Sequence, residues 1–228
     1  VFSPRKTFST PEAAIQYFIE RVKAGDYEGA MAACAVDEIT EGYDYEAQVE
    51  RLQAMMLSMP YLPAEYELYS AYNASSFETQ ILQQLACMAM SVTLPDDYSA
   101  FLDGTALYGE SIDAGDVVED MNPEDFFEIE IVDIGQNERT DEDAYLDSME
   151  EQAEIYGAED MTAYDVLYDI GGDYYAGGMT LLQYGDGWRI LWLNDALLNQ
   201  PVSGALIPLD SKSDFDALLG AGDAPQDE

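Results

Sequence analysis

Apolar residues recur along the first part of the chain with the 3.6-residue period of a helix. After Thr10-Pro11-Glu12 (a hydroxyl cap, proline at the first helical position, an acid in the first turn) they fall at Ala14, Ile15, Phe18, Ile19 and Val22. This predicts a helix over 10–24, closed by Gly25 as a left-handed cap. Asp26 opens a second helix through Ala30, Met31 and Cys34, so the two form a hairpin with almost no loop. A third helical pattern holds Leu52, Met55, Met56 and Met59 and stops at Pro60 and Pro63. A fourth starts near Ser75-Ser76 and carries Phe77, Ile81, Leu82, Leu85, Met88, Ala89 and Val92 as far as Pro95. The stretch 61–73 between them reads as irregular or briefly helical, and 95–122 as loop, punctuated by Gly104, Gly109 and Gly115.

Beyond residue 125 the period shortens to two. Phe127, Ile129 and Ile131 alternate with Glu128, Glu130 and Asp133, which predicts a half-buried strand over 126–134. An amphipathic helix follows over 141–156, stopped by Gly157. Strands are predicted over 163–170, 174–184 and 188–194, joined by the tight turns Gly171-Gly172-Asp173 and Gly185-Asp186-Gly187. Gly177-Gly178 inside the long strand reads as a bend or bulge. Together these strands make an antiparallel meander. The expected organisation is one α+β domain over 1–199 with a helical insertion at about 46–95, then an acidic, Gly/Ala-rich and partly disordered tail over 200–228.

Composition narrows the function. With 228 residues and 48% hydrophobic content, the chain can bury a substantial core. Eight Lys+Arg against 47 Asp+Glu give a net charge of −39, which leaves too little cationic charge to neutralise phosphates and excludes nucleic acid as a partner. The chain has no histidine, so Ser-His-Asp and Cys-His catalysis, His-based zinc sites and imidazole bases are unavailable. Cys34 and Cys87 could form one disulfide or remain two buried thiols, the latter being the simpler expectation. No window is apolar enough for a membrane span. The opening Val1-Phe2-Ser3 resembles a chain trimmed to its mature start, which would put a signal or lipid-attachment segment upstream. Arg5, Lys6, Arg21 and Lys23 lie within the first 23 residues, whereas Arg139 is the one cation between Glu110 and Asp173. A basic start before an acidic body suits a tether at an anionic membrane, although a solvated acidic surface is the plainer reading.

The Thr10-Pro11-Glu12 start, the apolar helix to Val22 and Lys23-Ala24-Gly25-Asp26-Tyr27 with Ala30 resemble the opening of cystatin-like, nuclear-transport-factor-2-like domains. Tyr184-Gly185-Asp186-Gly187-Trp188-Arg189-Ile190 resembles their last strands. More narrowly, the chain resembles secreted or lipid-anchored surface proteins of unknown function from Gram-positive gut bacteria. The resemblance implies a curved antiparallel sheet wrapped around the first helix as a cone. It also implies an extracellular location, with a lipid anchor as one means of attachment. Some such cones, as in ketosteroid isomerases, house an acidic base and a Tyr donor, while many others only bind or scaffold.

Candidate chemistry is sparse. Seventeen tyrosines stand out, and Tyr61, Tyr66, Tyr69 and Tyr72 lie in a Pro-bounded segment that need not be core. They are the candidate contacts for a small molecule, glycan, peptide or protein partner. The strand tyrosines (Tyr164, Tyr168, Tyr174, Tyr175, Tyr184) read as core. Asp165 and Asp169 alternate with Tyr164 and Tyr168, which places acids and tyrosines on opposite faces and argues against an isomerase-like set. Asp113, Asp116, Glu119 and Asp120, with Glu124 and Asp125, are weak calcium candidates that match no calcium-loop pattern. The expectation is therefore a non-catalytic binding module with no cofactor. An isomerase- or dehydratase-like enzyme and a structural surface spacer are the alternatives.

Overall fold

Thr10 starts the first helix as its spacing predicts. Its Oγ1 accepts the Ala13 N–H at 3.2 Å, and Pro11 opens α1 (Pro11–Lys23). Ala14, Ile15, Phe18, Ile19 and Val22 are all buried along one face. The computed structural model describes residues 5–53, 60–93 and 124–220. Asp26 caps the short α2 (Tyr27–Met31) by accepting the Gly29 N–H at 2.9 Å. Then come α3 (Val36–Gly42), for which the apolar pattern gives no signal, and α4 (Tyr45–Leu52), capped by Asp44. Residues 54–59, which hold the third helical pattern's methionines, and the expected loop at 95–122 lie outside the described residues.

The long helix α5 (Glu67–Thr93) begins a full two turns before Ser75. Asn73, Phe77, Ile81, Gln84, Leu85 and Met88 form its buried stripe. Asn73 explains the early start. Its side-chain oxygen accepts the Leu62 N–H and its amide donates to the Leu62 carbonyl, both at 2.8 Å, so the preceding segment is fastened against the helix. That clamp turns Tyr61 inward to 1% exposure. Tyr61 packs at 5.2 Å from the Tyr43 ring and 6.3 Å from Tyr156.

The sheet comprises β1 (Glu130–Gly135), β2 (Asp160–Ile170), β3 (Asp173–Tyr184), β4 (Gly187–Trp192) and β5 (Ile207–Leu209), all antiparallel. Its order is β1-β2-β3-β4, and β5 shares the second edge of β3, pairing Tyr174–Ala176 where β4 does not reach. The helix α6 (Asp143–Ile155) joins β1 to β2, and α7 (Lys212–Leu219) follows β5. Three expectations change here. The segment 200–219 is not a loose tail: it supplies β5 and α7 and buries Ala205, Leu206 and Phe215. Residues 221–228 of the expected tail lie outside the described residues. The strand expected from residue 126 begins at Glu130, because Asp125–Glu128 is a 3-10 turn that buries Phe126 instead. Gly177 and Gly178 make no bulge, since they pair in regular register with Val166 and Asp165.

Pairing register sorts the side chains into two faces. Tyr164, Val166 and Tyr168 share one face with Met179 and Leu181, and Tyr164 reaches Glu12 of α1 from it. These residues, Ile190 and the inner face of α1 belong to one apolar core. The other face carries Ala163, Asp165 and Leu167 with Ala176, Gly178, Thr180 and Leu182, and Arg189 lies opposite Leu182. It too is covered: Leu167 and Ala176 pack with Leu198 and Phe215 in a second, smaller core.

Candidate functional site

The helices α2, α3 and α5 surround a cavity of about 410 Å³. Tyr27 and Met31 come from α2, Ala32 and Cys34 from the turn after it, Val36, Asp37 and Glu38 from α3, and Glu78 and Leu82 from α5. A second lobe of about 410 Å³ continues along α5, walled by Leu85, Ala86, Ala89 and Met90 and by Phe126 and Phe127. Tyr27 and Leu82 line both lobes and are 40% and 47% exposed, so they form the ridge between them. The result is one groove with an almost wholly apolar end and an end bearing carboxylates. Each lobe has the size of a small-molecule site.

The carboxylate end is anchored by Glu38, whose Oε1 lies 2.9 Å from Arg5 Nη2 and 3.1 Å from Arg189 Nε. Arg189 has no exposed side-chain surface. It also donates to the Trp188 carbonyl at 2.8 Å and meets Asp186 at 3.2 Å. Burial pushes the Glu38 carboxyl up, against the opposing pull of Arg189 and Arg5. Burial also raises Glu78. Cys34 is a free, buried thiol that burial pushes well above the usual thiol range, so it offers no thiolate nucleophile; Cys87 is free and half-buried.

Every cation of the chain is engaged within it. Arg5, Arg21, Lys23, Arg51, Arg139, Arg189 and Lys212 make ion pairs, and Lys6 lies 4.2 Å above the Tyr17 ring. The groove's acids Glu28, Asp37 and Glu78 have no such partner among the described residues. An anionic ligand would meet repulsion here, and a cationic one attraction.

The tyrosines proposed as contacts divide. Tyr61 is core and offers no surface. Tyr66, Tyr69 and Tyr72 are 57%, 36% and 46% exposed; the Tyr66 and Tyr69 rings meet edge-on at 5.6 Å, with Leu68 exposed beside them. Asp113, Asp116, Glu119 and Asp120 lie outside the described residues. Among the described residues no group of three or more Asp, Glu or Cys side chains is arranged to hold a metal.

The alternation argument holds for Tyr164 but misses what lies behind the strand. Asp165 is fully buried beside Asp195, within electrostatic reach of Tyr145 on α6 and of Tyr168. None of these four residues lines either lobe of the groove, nor the open cleft of about 590 Å³ between α1 and β1. The sequence signal for the pair was the small Gly178 facing Asp165. A Cβ at Gly178 would lie 2.3 Å from the Asp195 backbone nitrogen, so only glycine leaves room for Asp195.

A solved structure shares the overall fold. A cystatin-like protein from Ruminococcus gnavus ATCC 29149 superposes with a TM-score of 0.53 at 21% identity, covering 95% of this chain. The fold is cystatin-like. The chain spans 44% of that neighbour's length, less than half, and at this identity the likeness is one of fold. No protein-family model and no curated protein matches the chain. Within the cystatin-like frame, the groove lies at the helical layer built from α2, α3 and α5, and α5 belongs to the stretch expected as an insertion. Among the described residues no helix is long and apolar enough to cross a membrane.

Proposed function

We propose that this cystatin-like domain is a non-catalytic binding module for an elongated small molecule with an apolar body and a cationic head. The observation that carries this reading is the two-lobed groove, where the apolar wall of Leu85, Ala89 and Phe127 runs across Tyr27 and Leu82 to Glu28, Asp37, Glu38 and Glu78. The head would sit among the carboxylates and the body in the apolar lobe, over an aromatic ridge that also favours cations. The absence of histidine and the protonated state of Cys34 support binding rather than turnover. An extracellular position, with the basic start of the chain toward an anionic surface and the acidic body away from it, is part of this proposal. The experiment is calorimetric titration with an arylalkyl amine and with the carboxylate of the same carbon skeleton. The amine should bind, Leu82→Asp and Phe127→Ala should weaken it, and the carboxylate should not bind. Equal binding of both, or of neither, overturns the reading.

The exposed cluster of Tyr66, Leu68, Tyr69 and Tyr72 favours a second surface, an aromatic platform for a glycan, peptide or protein partner. A glycan array probed with the protein and with its Tyr66→Ala, Tyr69→Ala, Tyr72→Ala variant tests the sugar arm of that reading.

A further inference from the structure

Asp165 and Asp195 are 0% and 2% exposed, and neither makes an ion pair. Both carboxylate oxygens of Asp165, Asp195 Oδ2 and the hydroxyls of Tyr145 and Tyr168 are buried without a hydrogen-bond partner. The cations of the adjoining elements are committed elsewhere: Lys212 of α7 to Asp133, Arg139 to Glu142, and Arg189 to Glu38. Two ionised carboxylates cannot sit together in such a place, because like charges in a low-dielectric interior repel strongly and each also loses its hydration.

Asp195 belongs to the linker 193–206 between β4 and β5. One oxygen, Asp195 Oδ1, accepts the Leu197 N–H at 3.0 Å, and Gln200 accepts the Asp195 N–H at 3.1 Å. The same linker grips α5. Leu193 N–H donates to Gln84 Oε1 at 2.7 Å, Leu206 N–H donates to Ser91 Oγ at 3.0 Å, and Gly204 lies directly against the Gln84 backbone. Whatever holds Asp195 against Asp165 therefore helps hold α5 to the sheet.

We propose that Asp165 and Asp195 share a single proton and act as a proton-dependent latch that fastens the β4–β5 linker, and through it α5, over the sheet. Burial first, then the neighbouring Asp195 charge, pushes the Asp165 carboxyl up to about 8. Asp195 is also raised, by burial. Tyr145 from α6 and Tyr168 from β2 lie within electrostatic reach of Asp165, and burial holds both hydroxyls protonated far above neutrality. With the linker released, an exposed aspartate loses its proton near pH 4. The latched state thus binds one more proton than the released state between about pH 4 and 8. The latch is strongest at acid pH, weakens by up to about tenfold per pH unit across that window, and levels off above it. The chain has no histidine, and among the described residues Glu38 and Glu78 are the other carboxyls that burial raises.

Carbon-13 carboxyl NMR of the aspartate-labelled whole chain tests the shared proton directly. One aspartate titrating near pH 8 is expected, and every aspartate titrating below pH 5 overturns the proposal. Hydrogen-exchange protection of residues 193–206, corrected for intrinsic exchange, tests the latch. It should fall from pH 5 to 8 in the native chain and stay flat in Asp165→Asn, whose amide replaces the protonated acid. Asp195→Asn serves the same purpose if Asp165→Asn does not fold. Protection that does not change with pH, or that falls equally in the folded variant, overturns the latch.

Discussion

Glu38 and Arg189 meet at 3.1 Å with 6% and 0% of their side chains exposed, and their ion pair joins α3 to β4. Arg5 and Asp186 extend it to the surface, at 2.9 Å from Glu38 and 3.2 Å from Arg189. Glu38 lines the groove, so the pair ties the α3 wall of the groove to the sheet. Breaking a buried pair on one side leaves the other charge uncompensated, at a cost of about 3–5 kcal/mol. Arg189→Met should therefore lose about 3 kcal/mol or more of unfolding free energy in urea. The double variant Arg189→Met, Glu38→Gln should recover part of that loss. A single-variant loss below about 1 kcal/mol would show that the pair does not bear on stability.

Tyr61 and Tyr66 are five residues apart but should respond in opposite ways. Tyr61→Ala empties a core position among Tyr43, Phe77 and Tyr156 and should cost about 3–5 kcal/mol, whereas Tyr66→Ala should change stability by about 0.5 kcal/mol or less. Chemical denaturation of the two variants checks the contrast.

Gly204 has φ of +88°, and a Cβ there would lie 2.2 Å from the Gln84 carbonyl oxygen. Gly204→Ala thus meets both backbone strain and a clash with another backbone. Its melting temperature should fall, and hydrogen exchange should quicken at 84–93 and 193–206 while residues 11–23 keep their protection.

Self-repulsion from a net charge of −39 should be visible in salt. Raising NaCl from low concentration to about half-molar shortens the screening length to a few ångströms and should raise the melting temperature. An unchanged value would mean that bound cations already neutralise the acids.

The parts of the fold written in local periodicity were legible in the sequence. Thr10 with Ala14, Ile15, Phe18, Ile19 and Val22 marked both the boundary and the buried face of α1, and the turns at Gly171-Gly172 and Gly185-Asp186 marked the meander. What was missed depends on partners distant along the chain. Tyr61 turns inward because Asn73 holds Leu62. Glu38 is buried because it pairs with Arg189, a partner far along the chain. Alternation sets Asp165 on the face away from Tyr164 and Tyr168, but it carries no sign that residues 195–219 cover that face. Leu82 belongs to the apolar set that predicts this helix, but it sits one position beyond Ile81 and off the buried stripe, and so becomes the ridge of the groove.

Amide chemical-shift mapping with the arylalkyl amine tests the central claim most directly. Shifts should gather at Tyr27, Met31, Val36 and Leu82 at the carboxylate end and continue to Ala89 and Phe127 along the apolar lobe. Shifts confined to Tyr66, Tyr69 and Tyr72, or no saturable shifts at all, would contradict the assignment of this groove as the binding site.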